Sequence, residues 1–146
     1  MEINIKEKKE KGTYKTIVVI RKDLKLSKND MLIQSNYATM ELLKRFMKKD
    51  KQLFGKNVRY IIETNIDSPL DVILSNTDEK EFYLIDSEDE LLHLYNKIKI
   101  SDIPVVLIED TDIKGSKGNK IKTCLAMTSI NEKDISNLIG HLNPVQ

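Results

Sequence analysis

Apolar positions along the chain switch between two periods, and the switches mark its elements. Thr16–Arg21 (TIVVIR) is a continuous β-branched run, the pattern of a strand covered on both faces. A charged loop leads from it to Ser27, an N-cap with Asp30 three residues on, an approximate capping box. The helix behind that cap sets Ala38, Leu42 and Phe46 on one line, with Met40, Leu43 and Met47 beside it, and is expected to run to about Lys49. Glu81–Ile85 reads as a second strand. Ser87 to Glu90 (SEDE) is a strong capping box, and Leu91, Leu94, Tyr95 and Ile98 follow at i, i+3, i+4 and i+7. Pro104 opens a third strand, Val105–Ile108, which ends on Glu109 and Asp110. A polar, glycine-containing loop (111–120) precedes a fourth strand, Lys122–Thr128, and Asn131 caps a last helix whose stripe is Ile135, Leu138, Ile139 and Leu142.

Two regions are less regular. Between Lys49 and Asn65 the pattern loosens, Gly55 interrupts it, and VRYII (58–62) suits helix or strand. Ser68 followed by Pro69 predicts a short helix over 69–75. Residues 1–13, mostly Lys and Glu, are expected to be a flexible, solvated segment, leaving one domain over 14–146. The order β-α-α-β-α-β-β-α predicts a largely parallel sheet with helices on both faces, one strand being turned antiparallel by the hairpin across 111–120.

Composition narrows the class. At 146 residues the chain can bury a core without staples. Its 24 basic and 23 acidic side chains give a net charge of +1, which excludes coating nucleic acid by bulk charge and leaves a local basic patch open. Cys124 is the only cysteine, so no internal disulfide forms and a reducing, cytoplasmic setting is expected. No run approaches the roughly 18 apolar residues of a membrane span, and MEINIKEKKEKG lacks the apolar core of a signal peptide. No Cys/His cluster has metal-ligand spacing and no phosphate-binding glycine loop occurs, so no cofactor or metal is expected. Cys124 reads as a core thiol, His93 as a surface residue and His141 as a helix-end residue. Lys114, Lys117, Lys120 and Lys122 read as a solvated loop before they read as a phosphate track.

Several segments together carry a family resemblance: IVVIRKDLKLSK (17–28), Gln34 with Ser35 and Ala38, FYLIDSEDELLHLY (82–95), PVVLIED (104–110), CLAM (124–127) and IGHL (139–142). In these the chain resembles the archaeal and eukaryotic (type II) peptidyl-tRNA hydrolases from Tyr14 to Leu142. The resemblance implies a three-layer α/β/α sandwich with a four-stranded mixed sheet, a homodimer, and tRNA or peptidyl-tRNA as partner. Relative to the family, about 18 extra residues fall around 48–65, near five helical turns in length. That insertion is expected to be ordered, helical up to Gly55, and to bury Phe54 with at least two of Val58, Tyr60, Ile61 and Ile62.

The resemblance also implies a polar site, and the chain departs from it. The family's first lysine is present as Lys28, but the catalytic lysine expected two residues on is Asp30. Gln34 and Asp110 match the family's glutamine and aspartate, its histidine is Tyr37, and its threonine is aligned to Lys114. Asp30, Gln34, Asp110 and Lys114 are therefore expected to meet at the carboxyl edge of the sheet, with an Asp30–Lys114 pair as one arrangement. Lys28 is a poor substitute for the missing cation, because two residues along a helix rotate a side chain by about 200°. Ester hydrolysis needs a positioned water and a donor or cation for the developing oxyanion. Asp110 can orient the water, whereas Asp30 repels the oxyanion or serves only the helix dipole. Three readings follow: a peptidyl-tRNA esterase with a degenerate site, a non-catalytic relative that binds RNA or protein, and an oligomer-forming structural subunit.

Overall fold

β1 (Lys15–Arg21) is the strand on which the other layers are laid, and Thr16 to Arg21 are all buried along it. The computed structural model describes residues 15–50, 56–62, 80–113, 115–129 and 131–145. The remaining elements are α1 (Lys28–Lys44), β2 (Met47–Asp50), β3 (Arg59–Ile62), β4 (Lys80–Ile85), α2 (Glu88–Ile100), β5 (Val105–Asp110), β6 (Ile121–Ser129), α3 (Glu132–Ile139) and β7 (Asn143–Pro144). One sheet has the order β5-β6-β1-β4-β7, and β2 with β3 forms a separate ribbon. The expected three-layer α/β/α sandwich is what forms, with two-residue β7 as a fifth strand.

Alternation on β1 divides the core. Ile17 and Val19 join Leu91, Leu94 and Ile98 of α2 and Ile135, Leu138 and Ile139 of α3 on one face. Val18 and Ile20 join Ala38 and Leu42 of α1 on the other, with Val106, Ile108, Cys124 and Ala126 from the neighbouring strands. The three predicted caps are all made. Ser27 Oγ accepts from the Asp30 N–H at 3.1 Å, Ser87 Oγ from the Glu90 N–H at 3.2 Å, and Asn131 Oδ1 from the N–H groups of Lys133 and Asp134. Arg21 ties the end of β1 to its surroundings, donating to Asp23, to Glu88 in the first turn of α2, and to the Lys122 carbonyl of β6.

Four expectations are corrected. The sheet is not largely parallel: β1–β4 is its one parallel pair among the described strands, and β1–β6, β5–β6 and β4–β7 are antiparallel. β6 returns from β5 and lies between β5 and β1, so one reversed strand makes two antiparallel pairs. α1 stops at Lys44 rather than Lys49, where Arg45 caps the helix and donates to the Val105 carbonyl. Met47–Asp50 is a strand, paired with Arg59–Ile62 and clamped by Arg59 on Asp50, so the first part of the insertion is ribbon and not helix. The buried face of α1 is Gln34, Ser35, Ala38 and Leu42, which leaves Met40 exposed, and Val58 and Tyr60 of the insertion are exposed as well.

The N-terminal segment 1–13, the helix expected over 69–75, residues 51–55 and 63–65 of the insertion, and Lys114 lie outside the described residues. Among those described, no helix is long and apolar enough to cross a membrane.

α2 supplies a stability test with an internal control. Leu91 is fully buried between α2 and the sheet, whereas Ile100 on the same helix is 85% exposed. Leu91→Ala should lower unfolding stability by about 2–5 kcal/mol. Ile100→Ala should stay within about 0.5 kcal/mol. Urea midpoints with unchanged slopes would measure both.

Candidate functional site

The site is built where α1 crosses the ends of β5 and β6, and a break in strand alternation makes it. Ile108 pairs with Cys124, but the next residue, Glu109, pairs with Lys122, so Thr123 is an extra residue on β6. Such a bulge re-aims a side chain that regular pleating would turn away. Here two consecutive residues of β6 reach α1. Thr123 Oγ1 lies 2.6 Å from Gln34 Oε1, and the Cys124 thiol lies 3.7 Å from the Gln34 carbonyl oxygen.

Gln34 is 2% exposed and Thr123 is fully buried. Both halves of the Gln34 amide are used. Its Nε2 donates to Asp110 Oδ2 at 2.6 Å, and its Oε1 accepts from the Thr123 hydroxyl. An ionised carboxylate can only accept, so the amide nitrogen must face Asp110, which leaves its oxygen for Thr123. Asp110 closes β5 and accepts the Asp112 N–H at Oδ1, 3.0 Å away. That backbone donor, with desolvation opposing it and the Gln34 amide adding to it, holds the Asp110 carboxyl below its ordinary 3.8. At neutral pH it is an oriented anion. Cys124 is the opposite case: burial raises its thiol to about 12, so it stays protonated and is no nucleophile.

Over this network lies an open cavity of about 500 Å³. α1 contributes Asp30, Ile33, Gln34 and Tyr37, the loop after β5 contributes Asp110, Asp112 and Ile113, and the β1–α1 loop contributes Leu24, Lys25 and Leu26. Asp30, Gln34 and Asp110 thus share one concavity. Lys28, one turn-start away on the exposed side of α1, does not line it. Lys25, held with φ at 52° by a turn onto Lys22, is the one cation among the described lining residues.

Thr123 is the site residue that sequence reasoning passed over, and Lys25, although an evident exposed charge, was not assigned to the site. Lys25 stood in a charged loop without distinguishing pattern. Thr123 was read only as a position inside a strand, and nothing in KTCLAM announces a bulge. Of the described lysines in and just after the 111–120 loop, Lys117 and Lys120 are exposed, and Lys122 on β6 pairs with Glu109 at 3.4 Å. The loop itself is folded around buried Ser116, which donates to the Thr111 carbonyl at 2.7 Å. His93 and His141 are exposed and belong to a different concavity, between α2 and the chain's C-terminal residues. No group of three or more His, Cys, Asp or Glu among the described residues suits a metal ion.

The model of the family described as peptidyl-tRNA hydrolase PTH2 matches residues 14–145. The chain is 27% identical over 132 residues to a peptidyl-tRNA hydrolase of Thermococcus onnurineus strain NA1, covering 90% of this chain and 98% of that one. Its fold is similar to that of a solved protein of unknown function from Agrobacterium tumefaciens strain C58. That likeness has a TM-score of 0.54 at 11% identity and covers 91% of this chain and 98% of the other.

The network predicts two stability effects. Thr123→Val keeps the side-chain shape but leaves the buried Gln34 oxygen without its donor, and should cost about 1–3 kcal/mol in urea unfolding, with Thr123→Ser costing less. The second effect concerns pH. Because the folded Asp110 carboxyl sits below its unfolded value, its contribution is fully present above that value and is lost as pH falls through the folded one. Asp23, held low by its hydrogen bonds from Arg21, has the same sign. The urea midpoint should therefore fall as pH drops below about 4 and on through the folded values, and fall less steeply in Asp110→Asn.

Proposed function

The chain belongs to the peptidyl-tRNA hydrolase PTH2 family, and from that membership we propose that it hydrolyses the ester joining an acyl group to tRNA. The observation that carries this reading is the Thr123–Gln34–Asp110 chain opening into a cavity at the end of the sheet. Asp110 would accept a hydrogen bond from the attacking water and aim it at the ester carbonyl. A carboxylate held below its usual range is a weak proton acceptor, so its main service is orientation. Gln34 positions Asp110, and Thr123 positions Gln34. In this reading Thr123 supplies the threonine that the family pattern calls for, in place of the alignment to Lys114.

The step that lacks a partner is stabilisation of the oxyanion. Where the family places its catalytic lysine the chain has Asp30, and Lys28 faces elsewhere. Lys25, contributed by the β1–α1 loop, is the remaining described cation that lines the cavity. The family further suggests a homodimer working in the cytoplasm beside the translation machinery. A reading as a non-catalytic RNA-binding relative is favoured by one observation, Asp30 itself, and the same assay separates the two.

Peptide release from peptidyl-tRNA should be slow in the wild-type protein and should disappear in Asp110→Ala. Asp30→Lys should raise turnover by up to about 10²–10³, the range associated with one oxyanion donor. Tight tRNA binding with no release in wild type or Asp30→Lys would instead identify the binding relative.

A further inference from the structure

The cavity over Gln34 and Asp110 has a charge pattern that suits one kind of acyl group. Its described walls carry three carboxylates, Asp30, Asp110 and Asp112, against one ammonium, Lys25. One of the three is already engaged in the floor: Asp110, by the Gln34 amide and the Asp112 N–H. Asp112 gives that bond only its backbone N–H, and its side chain is exposed in the loop after β5. Asp30 is different. Ser27 caps its backbone N–H, and among the described residues its carboxylate has neither an ion-pair partner nor a hydrogen-bond donor. It sits on α1 one turn before Gln34, so it borders the place where the carbonyl of a bound ester must lie above Asp110. The same cavity is lined by apolar side chains, Leu24, Leu26 and Ile113, that can receive an amino-acid side chain.

We propose that Asp30 makes this site selective for tRNA esters whose acyl group carries a free α-ammonium, that is, aminoacyl rather than N-blocked peptidyl esters. This rests on the hydrolase reading above and names the substrate class of that same site. The α-ammonium lies one carbon from the ester carbonyl, so a carboxylate beside the carbonyl pairs with it directly. Paired, Asp30 no longer repels the oxyanion. The substrate's own cation also withdraws electron density from the carbonyl, which favours attack by water and lessens the need for a lysine from the protein. With an N-blocked ester none of this holds, and Asp30 is an unneutralised negative charge beside a developing negative charge. In the reaction the water oxygen bonds to the acyl carbon and the acyl C–O bond to the ribose breaks. One water proton ends on the ribose oxygen, and the products are a free amino acid and free tRNA.

The test compares three esters of one tRNA: phenylalanyl, its α-hydroxy isostere phenyllactyl, which has the same bulk and no charge, and N-acetylphenylalanyl. Each kcat/KM is corrected for the protein-free hydrolysis of that ester, which the α-ammonium alone accelerates. The wild-type protein should prefer the phenylalanyl over the phenyllactyl ester by about tenfold, the effect of one charge-assisted hydrogen bond. Asp30→Asn should reduce that preference to near one, and Asp30→Lys should invert it in favour of the N-acetyl ester. The Asp30 side chain is exposed, so the variants lose only its favourable place in the first turn of α1, a small effect, and should remain folded in urea titration. Turnover with no amine preference in the wild type, or a preference that Asp30→Asn leaves intact, would overturn the assignment and leave the hydrolase reading standing. Hydrolysis of none of the three esters by wild type or Asp30→Lys would overturn both.

Discussion

A single buried amide holds the helical and sheet layers in register at the site. Gln34 is a polar side chain on the face of α1 that otherwise presents Ser35, Ala38 and Leu42 to the sheet. Burying an amide without partners costs several times what a made hydrogen bond contributes. That asymmetry makes its two partners obligatory. Asp110 must close β5 at one end of the amide and Thr123 must reach it from β6 at the other. A slide of α1 by one residue would leave three buried or half-buried polar groups unsatisfied at once. The apolar contacts of the same face, Val18 and Ile20 against Ala38 and Leu42, are less exacting, since hydrophobic packing tolerates small shifts that hydrogen bonds do not.

The same constraint explains what could and could not be read from the residue pattern. Caps are local, and Ser27, Ser87 and Asn131 each act within four residues of themselves, so all three were legible. The stripes of α2 and α3 were legible because every buried position on them is apolar. α1 was misjudged at Met40 because its buried face begins with Gln34 and Ser35, and a pattern that counts only apolar residues rotates the helix toward the next best line. Thr123 was hidden for a related reason. Alternation along Ile121–Ser129 assigns it to the face of Leu125 and Met127, and only the pairing of Ile108 and Glu109 with Cys124 and Lys122 reveals the extra residue. The ribbon of Met47–Asp50 with Arg59–Ile62 depends on a cross-strand clamp between residues nine apart, beyond the reach of helix or strand periodicity.

At the cleft the charge distribution divides by depth. The floor is a directed chain from Thr123 through Gln34 to Asp110, ending on an anion that is stabilised by backbone as well as side chain. The rim is a looser arrangement of Asp30 and Lys25, set by a helix start and a left-handed turn. Deep groups are bound to the fold's own stability and tolerate little change. Rim groups are not, so the charge there can change while the scaffold beneath stays the same.

Cys124 draws a last consequence from the bulge. Its thiol is sealed under α1, points at the Gln34 carbonyl, and is held protonated by its surroundings. Alkylating reagents attack the thiolate of an accessible cysteine, and in the closed protein this one is neither. Modification can proceed only through molecules in which α1 has lifted from the sheet, so the labelling rate counts those openings. The chain's single thiol thereby works as a clock for the breathing of the very helix that carries Asp30 and Gln34. It reports motion of the cleft in the unaltered protein, with no added label to disturb it.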